Sequence, residues 1–292
     1  MQAFEYSAPR TLDEAVRFLR RNGAGEPRVL AGGTDLIVQL REGRRQAALV
    51  VDIKHIPELM ELRHDDRTTT IGAAVPCARI YGDAEMRRRF PALIESASLI
   101  GGIQIQSRAS LGGNLCNASP AADSIPALIA LCAVCGLSGP DGERSIPVER
   151  FCTGPGQNAL RPGELLVRLV LPAPKAHSGA AFERFIPRNE MDIAVANAAA
   201  AVELSADGAR FVSARVVVGA CAPTPLLVHE AGEALTGQPV GEEAIMRAVE
   251  AVRAAVRPIT DMRGSAAQRR HLAGVLARRV VERAVERARA AR

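Results

Sequence analysis

The chain has 292 residues, 48% hydrophobic and only 3% aromatic, with 37 Lys and Arg against 32 Asp and Glu. It is long enough for a sizeable core and two or three subdomains. No run of about eighteen apolar residues occurs, so no membrane span is expected, and Met1-Gln2-Ala3-Phe4-Glu5-Tyr6 lacks the basic-then-apolar profile of an export signal, which makes a cytoplasmic location the expectation. The net charge of +5 is concentrated in the tail: Arg263 to Arg292 carries nine arginines against Glu282 and Glu286, so the remainder is slightly acidic.

The first helix has clear signals. Thr11 caps it, Glu14 completes a capping box, Leu12, Ala15, Val16 and Leu19 form one face, and Asn22-Gly23 stops it. Arg28 to Ala31 reads as a buried strand, Gly32-Gly33-Thr34 as a turn, Asp35 to Arg41 as a helix and Ala48 to Ile53 as a second strand, together a β-α-β unit. Thr68 to Ala73 starts a second segment as a strand, Tyr81 to Ile100 is helical on either side of Pro91, and further strands fall at 133–138 and Glu164 to Leu171, where Pro172 and Pro174 mark an exit. Beyond a boundary near 172–178, Ala180 to Ile186, Ile193 to Leu204 and Phe211 to Ala220 read as three strands. Val228 to Leu235, Glu242 to Val256 and the segment from Ser265 read as helices.

In the last helix Leu272, Val275, Leu276, Val280 and Ala284 recur at helical spacing, so the arginines decorate the opposite face. A solvated face with ion pairs and a surface for an acidic partner are both open readings; nucleic acid is disfavoured because no aromatic residues interleave the arginines as a base-stacking surface requires. The six cysteines are dispersed and read as free thiols. Cys132 and Cys135 form one C-x-x-C in an apolar setting with no second ligand pair, which favours buried core thiols over a metal site.

Two glycine pairs about eighty residues apart carry the chemistry: Ala31-Gly32-Gly33-Thr34-Asp35 and Ser110-Leu111-Gly112-Gly113-Asn114. A diphosphate needs converging backbone N–H groups at close range, which glycine permits. Neither matches G-x-G-x-x-G or G-x-x-x-x-G-K-[ST], and either alone reads more readily as a tight structural turn. The first, however, joins a buried strand to a helix start, the arrangement that presents N–H groups to an anion. The second lies in a segment of low charge, Ile100 to Leu131, rich in neutral hydrogen-bonding side chains, where Asp123 is the one carboxylate, able to cap a helix or to accept from polyol hydroxyls.

Ala31-Gly32-Gly33-Thr34-Asp35-Leu36, and Arg108 to Leu115 with Asn117-Ala118-Ser119-Pro120 and Asp123, closely resemble the FAD-binding medium subunit of molybdenum hydroxylases, the xanthine dehydrogenase and carbon monoxide dehydrogenase family. Phe185 to Ala194 looks like that family's domain junction, and Asp261-Met262-Arg263-Gly264-Ser265 with Arg269 like the start of its terminal helix. The resemblance implies an α+β protein: a vanillyl-alcohol-oxidase-type (PCMH-like) FAD-binding domain in two α/β subdomains, 1–55 and 56–175, and a C-terminal α+β domain, 176–292, with a three-stranded sheet and helices. By position it implies that Arg28, Val29, Leu30, Ala31, Gly32, Gly33, Thr34, Asp35 and Leu36 hold the FAD diphosphate from one side and Ser110, Gly112, Gly113 and Asn114 from the other. Gly101, Cys116 and Ser119 belong to the same cofactor-binding set. Asp123 would meet the sugar hydroxyls, Leu165 and Leu166 would border the cofactor, and Arg184, where relatives often have lysine, would touch it.

The chemistry is then the cofactor's, and no catalytic or metal-ligating residue is assigned to this chain. The resemblance implies an oxidoreductase subunit that takes electrons from 2Fe–2S clusters of a small subunit and passes them through FAD to NAD⁺, a quinone or another acceptor. Substrate would be hydroxylated on a molybdopterin-containing large subunit, in a dimer of heterotrimers. Two alternatives stand beside it. A self-sufficient FAD-dependent oxidase would need a base near the flavin, and His55, His64, His177, His229 and His271 all lie outside the glycine blocks; a scaffold that has lost FAD would not need intact glycines.

Overall fold

The computed structural model describes residues 3–20, 26–189 and 191–291. Its N-terminal part comprises β1 (Glu5–Ser7), α1 (Leu12–Leu19), β2 (Pro27–Leu30), α2 (Leu36–Arg41) and β3 (Leu49–Asp52). The three strands are parallel in the order β1-β3-β2, and α2 is the crossover between β2 and β3, as the β-α-β reading expects. β1 has no sequence pattern of its own; three residues are too few to show alternation. At α1, Thr11 Oγ1 accepts the Glu14 N–H at 3.2 Å, but the Glu14 carboxylate accepts from Arg10 rather than Thr11, so the box closes one residue early. Such a cap contributes about 1 kcal/mol. The expected stop at Asn22-Gly23 lies outside the described residues.

The middle part runs β4 (Leu62–His64), β5 (Thr68–Gly72), α3 (Cys77–Gly82), α4 (Ala84–Arg89), α5 (Pro91–Ala97), α6 (Ile103–Gln106), α7 (Leu111–Asn117), α8 (Ser124–Ala130), β6 (Val134–Gly139), β7 (Gly142–Pro147), the short pair β8 (Cys152–Gly154) and β9 (Gln157–Asn158), and β10 (Leu165–Pro172). Five strands form an antiparallel sheet, β4-β5-β10-β6-β7. The apolar run of β10 puts it at the centre, with Leu165, Leu166, Val167, Leu169 and Leu171 all buried. Cys135 is buried in β6, whereas Cys132 is exposed at a left-handed position (φ 56°), which corrects the expectation that both thiols are in the core.

The last part comprises β11 (Ser178–Phe185), β12 (Ala196–Leu204), β13 (Phe211–Gly219), β14 (Leu226–Leu227), α9 (His229–Leu235), α10 (Glu242–Ala255) and α11 (Ala266–Ala290). Its sheet has four strands, not three: Leu226 and Leu227 pair with Val218 and Val217, a two-residue edge too short to leave a pattern. The alanines of β12 follow from close packing under α11. The same approach requires Gly179, where a Cβ would lie 2.5 Å from the Ala288 nitrogen.

Contacts on two sides help to fix this sheet on the middle part. All seven residues of α8 are buried, and helix α8 packs against β12 and β13, with Ala220 N donating to Pro120 O at 2.7 Å. On the other side, Glu95 of α5 accepts the Phe182 N–H at 2.9 Å and the Arg287 guanidinium. Arg279, Arg283 and Arg287, four residues apart on α11, bind Glu183, the Phe182 carbonyl and the Ala180 carbonyl in turn. These arginines are paired inside the chain and fasten α11 to β11. Replacing Glu95 by Ala leaves the Phe182 N–H without its acceptor and Arg287 with the Ala180 carbonyl alone; a loss of about 1–3 kcal/mol in urea unfolding is expected, with a smaller loss for Glu95→Gln, which keeps an acceptor for Phe182.

Candidate functional site

β2 ends at Leu30 and delivers the chain into the first glycine loop. Gly33 is left-handed (φ 77°), Ile37 N donates to Gly33 O at 3.1 Å to start α2, and the N–H groups of Gly32, Gly33, Thr34 and Asp35 donate to nothing among the described residues. The second block is not a turn, which corrects that expectation: Ser110 caps α7, its Oγ accepting the Gly113 N–H at 3.0 Å, and Gly112 and Gly113 form the first helical turn. The two glycines have different work there. A Cβ on Gly112 would press 2.6 Å from Ala73 Cβ, while one on Gly113 would meet only Ser110 Oγ at 3.1 Å. Gly112 lets the helix sit on the turn after β5; Gly113 leaves the open side free.

The two blocks touch. A Cβ on Gly32 would fall inside the Arg108 carbonyl group, and Gln39 Nε2 donates to Asn117 Oδ1 at 3.2 Å. Between and beside them runs a cleft of about 740 Å³, within the usual range for small-molecule sites.

The cleft gathers Arg28, Val29, Ala31, Gly32, Gly33, Thr34, Asp35, Leu36, Ser110, Gly112, Gly113, Asn114, Cys116, Leu165 and Leu166. Burial pushes the Cys116 thiol up to about 12, so it contributes a neutral wall. Leu30, Gly101, Ser119, Asp123 and Arg184 do not line it. Leu30 alternates to the far face of β2 and packs near Leu40 and Val50; Gly101 makes a left-handed turn (φ 62°) beside Ile100, which does line the cleft; Ser119 Oγ accepts the Ala121 N–H at 3.3 Å. Leu160, Arg161, Pro162, Gly163 and Glu164 add a further stretch of wall. The Pro-Gly turn before β10 was their only signal. Glu164 is committed elsewhere, gripped by Arg144 at 2.7 and 2.6 Å, which holds its carboxyl below the usual range.

Asp123 and Arg184 bind each other. Arg184 Nη1 donates to Asp123 Oδ2 at 2.6 Å across the junction of α8 and β11, with side chains only 10% and 4% exposed, and Asn197 Nδ2 lies 3.4 Å from Oδ1. Asp123 makes no side-chain cap on α8. The cleft itself suits a dinucleotide: free N–H groups at one glycine block, an unobstructed helix start at the other, an apolar wall of Val29, Leu160, Leu165 and Leu166, and the cations of Arg28 and Arg45. This arrangement defines a dinucleotide-binding protein of two facing α/β pieces.

Comparison with known proteins sharpens that class. Residues 2–174 match the family described as the FAD binding domain in molybdopterin dehydrogenase, and residues 181–284 the CO dehydrogenase flavoprotein C-terminal domain. The chain is 33% identical to the xanthine dehydrogenase FAD-binding subunit of Escherichia coli O157:H7 over 96% of its length and 95% of that protein's, and 34% identical to the carbon monoxide dehydrogenase medium chain of Afipia carboxidovorans over 98% of both. It superposes on a chain of carbon monoxide dehydrogenase from Hydrogenophaga pseudoflava with a TM-score of 0.93 at 32% identity, covering 98% of both. The chain belongs to the FAD-binding subunits of the molybdopterin dehydrogenases, and its cofactor is FAD.

Two outcomes test the geometry. Gly113→Val should fold with near-normal stability but release its flavin on gel filtration, whereas Gly32→Ala, which drives a methyl into a backbone carbonyl, should give little folded protein. Burial pushes the Asp123 carboxyl up to about 6 against the opposing pull of Arg184 and Asn197. Between about pH 4 and 6 the folded chain therefore keeps a proton that the unfolded chain has lost, and stability falls as pH rises through that window. Asp123→Asn, though less stable, should flatten this limb of the stability profile measured by denaturant titration from pH 4 to 7.

Proposed function

We propose that this chain is the electron-relay subunit of a molybdenum hydroxylase complex, working beside a molybdopterin-containing large subunit and a small subunit with 2Fe–2S clusters, in a dimer of heterotrimers. FAD, when bound, supplies the redox chemistry, accepting electrons from the clusters and yielding them to NAD⁺, a quinone or another acceptor. The chain's own part is placement. Gly32, Gly33, Thr34 and Asp35 offer N–H donors to the diphosphate, Gly113 leaves room for its approach, and Leu165 and Leu166 exclude water from one side.

The observation that carries this reading is the chemistry of the cleft wall: among the described residues it contains no histidine, lysine or tyrosine, Glu26 and Glu164 are tied to Arg28 and Arg144, the Cys116 thiol is pushed up by burial, and Asp35, its carboxyl raised by burial, sits in the glycine loop itself. Such a wall supports holding a cofactor over working on a substrate. The name "medium chain" carried by several relatives favours a larger assembly. No described helix is long and apolar enough to cross a membrane, and the six free thiols favour a reducing compartment, which supports a cytoplasmic placement.

The test is to purify the chain alone and together with the products of the genes adjoining its own. Expected are FAD released at about one per chain on denaturation, no turnover of small substrates by the chain alone, and co-purification with a molybdopterin protein. Colourless protein, or unaided oxidation of small substrates, would overturn the assignment.

A further inference from the structure

Lys54 lies outside every motif named above, yet it reaches the first glycine loop. β3 ends at Asp52, and a short 3-10 turn, Ile53–His55, carries Lys54 back beneath the loop, where its Nζ donates to the Ala31 carbonyl at 2.9 Å and to Asp52 Oδ1 at 2.6 Å. Asp52, 5% exposed, also accepts the Lys54 N–H at 3.1 Å and the Tyr6 hydroxyl at 2.8 Å. Burial would raise this carboxyl, but those donors outweigh it and hold it below the ordinary range, so the carboxylate stays charged. A pair of this kind, with the carboxylate buried and the lysine half-buried, adds little stability after desolvation; its attested use is to specify one geometry.

The geometry it specifies is the orientation of a peptide plane. In a trans peptide the carbonyl and the following N–H point in opposite directions, and no cis bond occurs among the described residues. Ala31 and Gly32 line the cleft, while Lys54 and Asp52 do not. Lys54 thus draws the Ala31 carbonyl out of the cleft, which turns the Gly32 N–H into it. We propose that Lys54, held by Asp52 and Tyr6, is a positioning residue for the FAD diphosphate, acting through the Ala31–Gly32 peptide. Without it, the carbonyl is free to rotate inward and set a partial negative charge against the phosphates. The proposal rests on the FAD reading above.

The full-length chain, stripped of flavin, is titrated with FAD and ADP by calorimetry and with adenosine by ligand-observed NMR. A general loosening of the site weakens ADP and adenosine together, whereas loss of diphosphate positioning lowers their affinity ratio. For Lys54→Met, FAD and ADP affinities and the ADP:adenosine ratio should each fall about tenfold, and Lys54→Arg should retain most of the ratio. A ratio within about twofold of the parent's in Lys54→Met overturns the proposal. Should Lys54→Met not fold, Lys54→Gln, which keeps a donor but no charge, is read by the same ratio. A parent chain that binds no FAD would instead overturn the functional assignment itself.

Discussion

Everything at the cofactor site depends on one backbone contact, Gly32 against the Arg108 carbonyl. It brings two segments about eighty residues apart to van der Waals distance and sets the width of the cleft between them. With no side chain possible at the contact, adjustment must come from elsewhere: from Lys54 behind one block, from Ser110 capping the other, and from the Gln39–Asn117 bridge beside them. The glycines are therefore not interchangeable. Gly32 and Gly112 serve backbone packing, Gly33 serves a left-handed turn, and Gly113 serves access.

Local periodicity made much of this legible. The β2-α2-β3 unit, the central strand β10 and helices α1, α10 and α11 follow from runs long enough to show their period. β1 and β14, at three and two residues, owe their existence to neighbouring strands and leave no such trace. The second glycine block was placed at the right position with the wrong local structure, because Gly-Gly in sequence favours a turn until Ser110 is recognised as a cap for Gly113. Asp123 and Arg184 show the other limit. Asp123 was legible as the one carboxylate of a low-charge segment and Arg184 only through the family resemblance, but their pairing spans 61 positions of sequence and belongs to tertiary structure alone.

The arginine-rich tail shows how charge clustered in sequence can serve contacts inside the fold. A local excess of positive charge invites an acidic ligand, yet Arg279, Arg283 and Arg287 meet Glu183, Glu95 and the free carbonyls of β11. Arginine suits this task because one guanidinium can serve a carboxylate and a carbonyl together, as Arg287 does. The small residues opposite, Gly179 and the alanines of β12, let the helix come near enough for those side chains to reach.

Chain order adds a temporal reading to the Glu95 clamp. The cleft walls are complete once residue 166 has been made, whereas Arg283 and Arg287, which fasten the last domain to Glu95, come more than a hundred residues later. Domains fold as units during synthesis, N-terminal first. Every described residue of the cleft wall is thus in hand before the neighbouring domain has been completed, so the wall owes none of its residues to that domain.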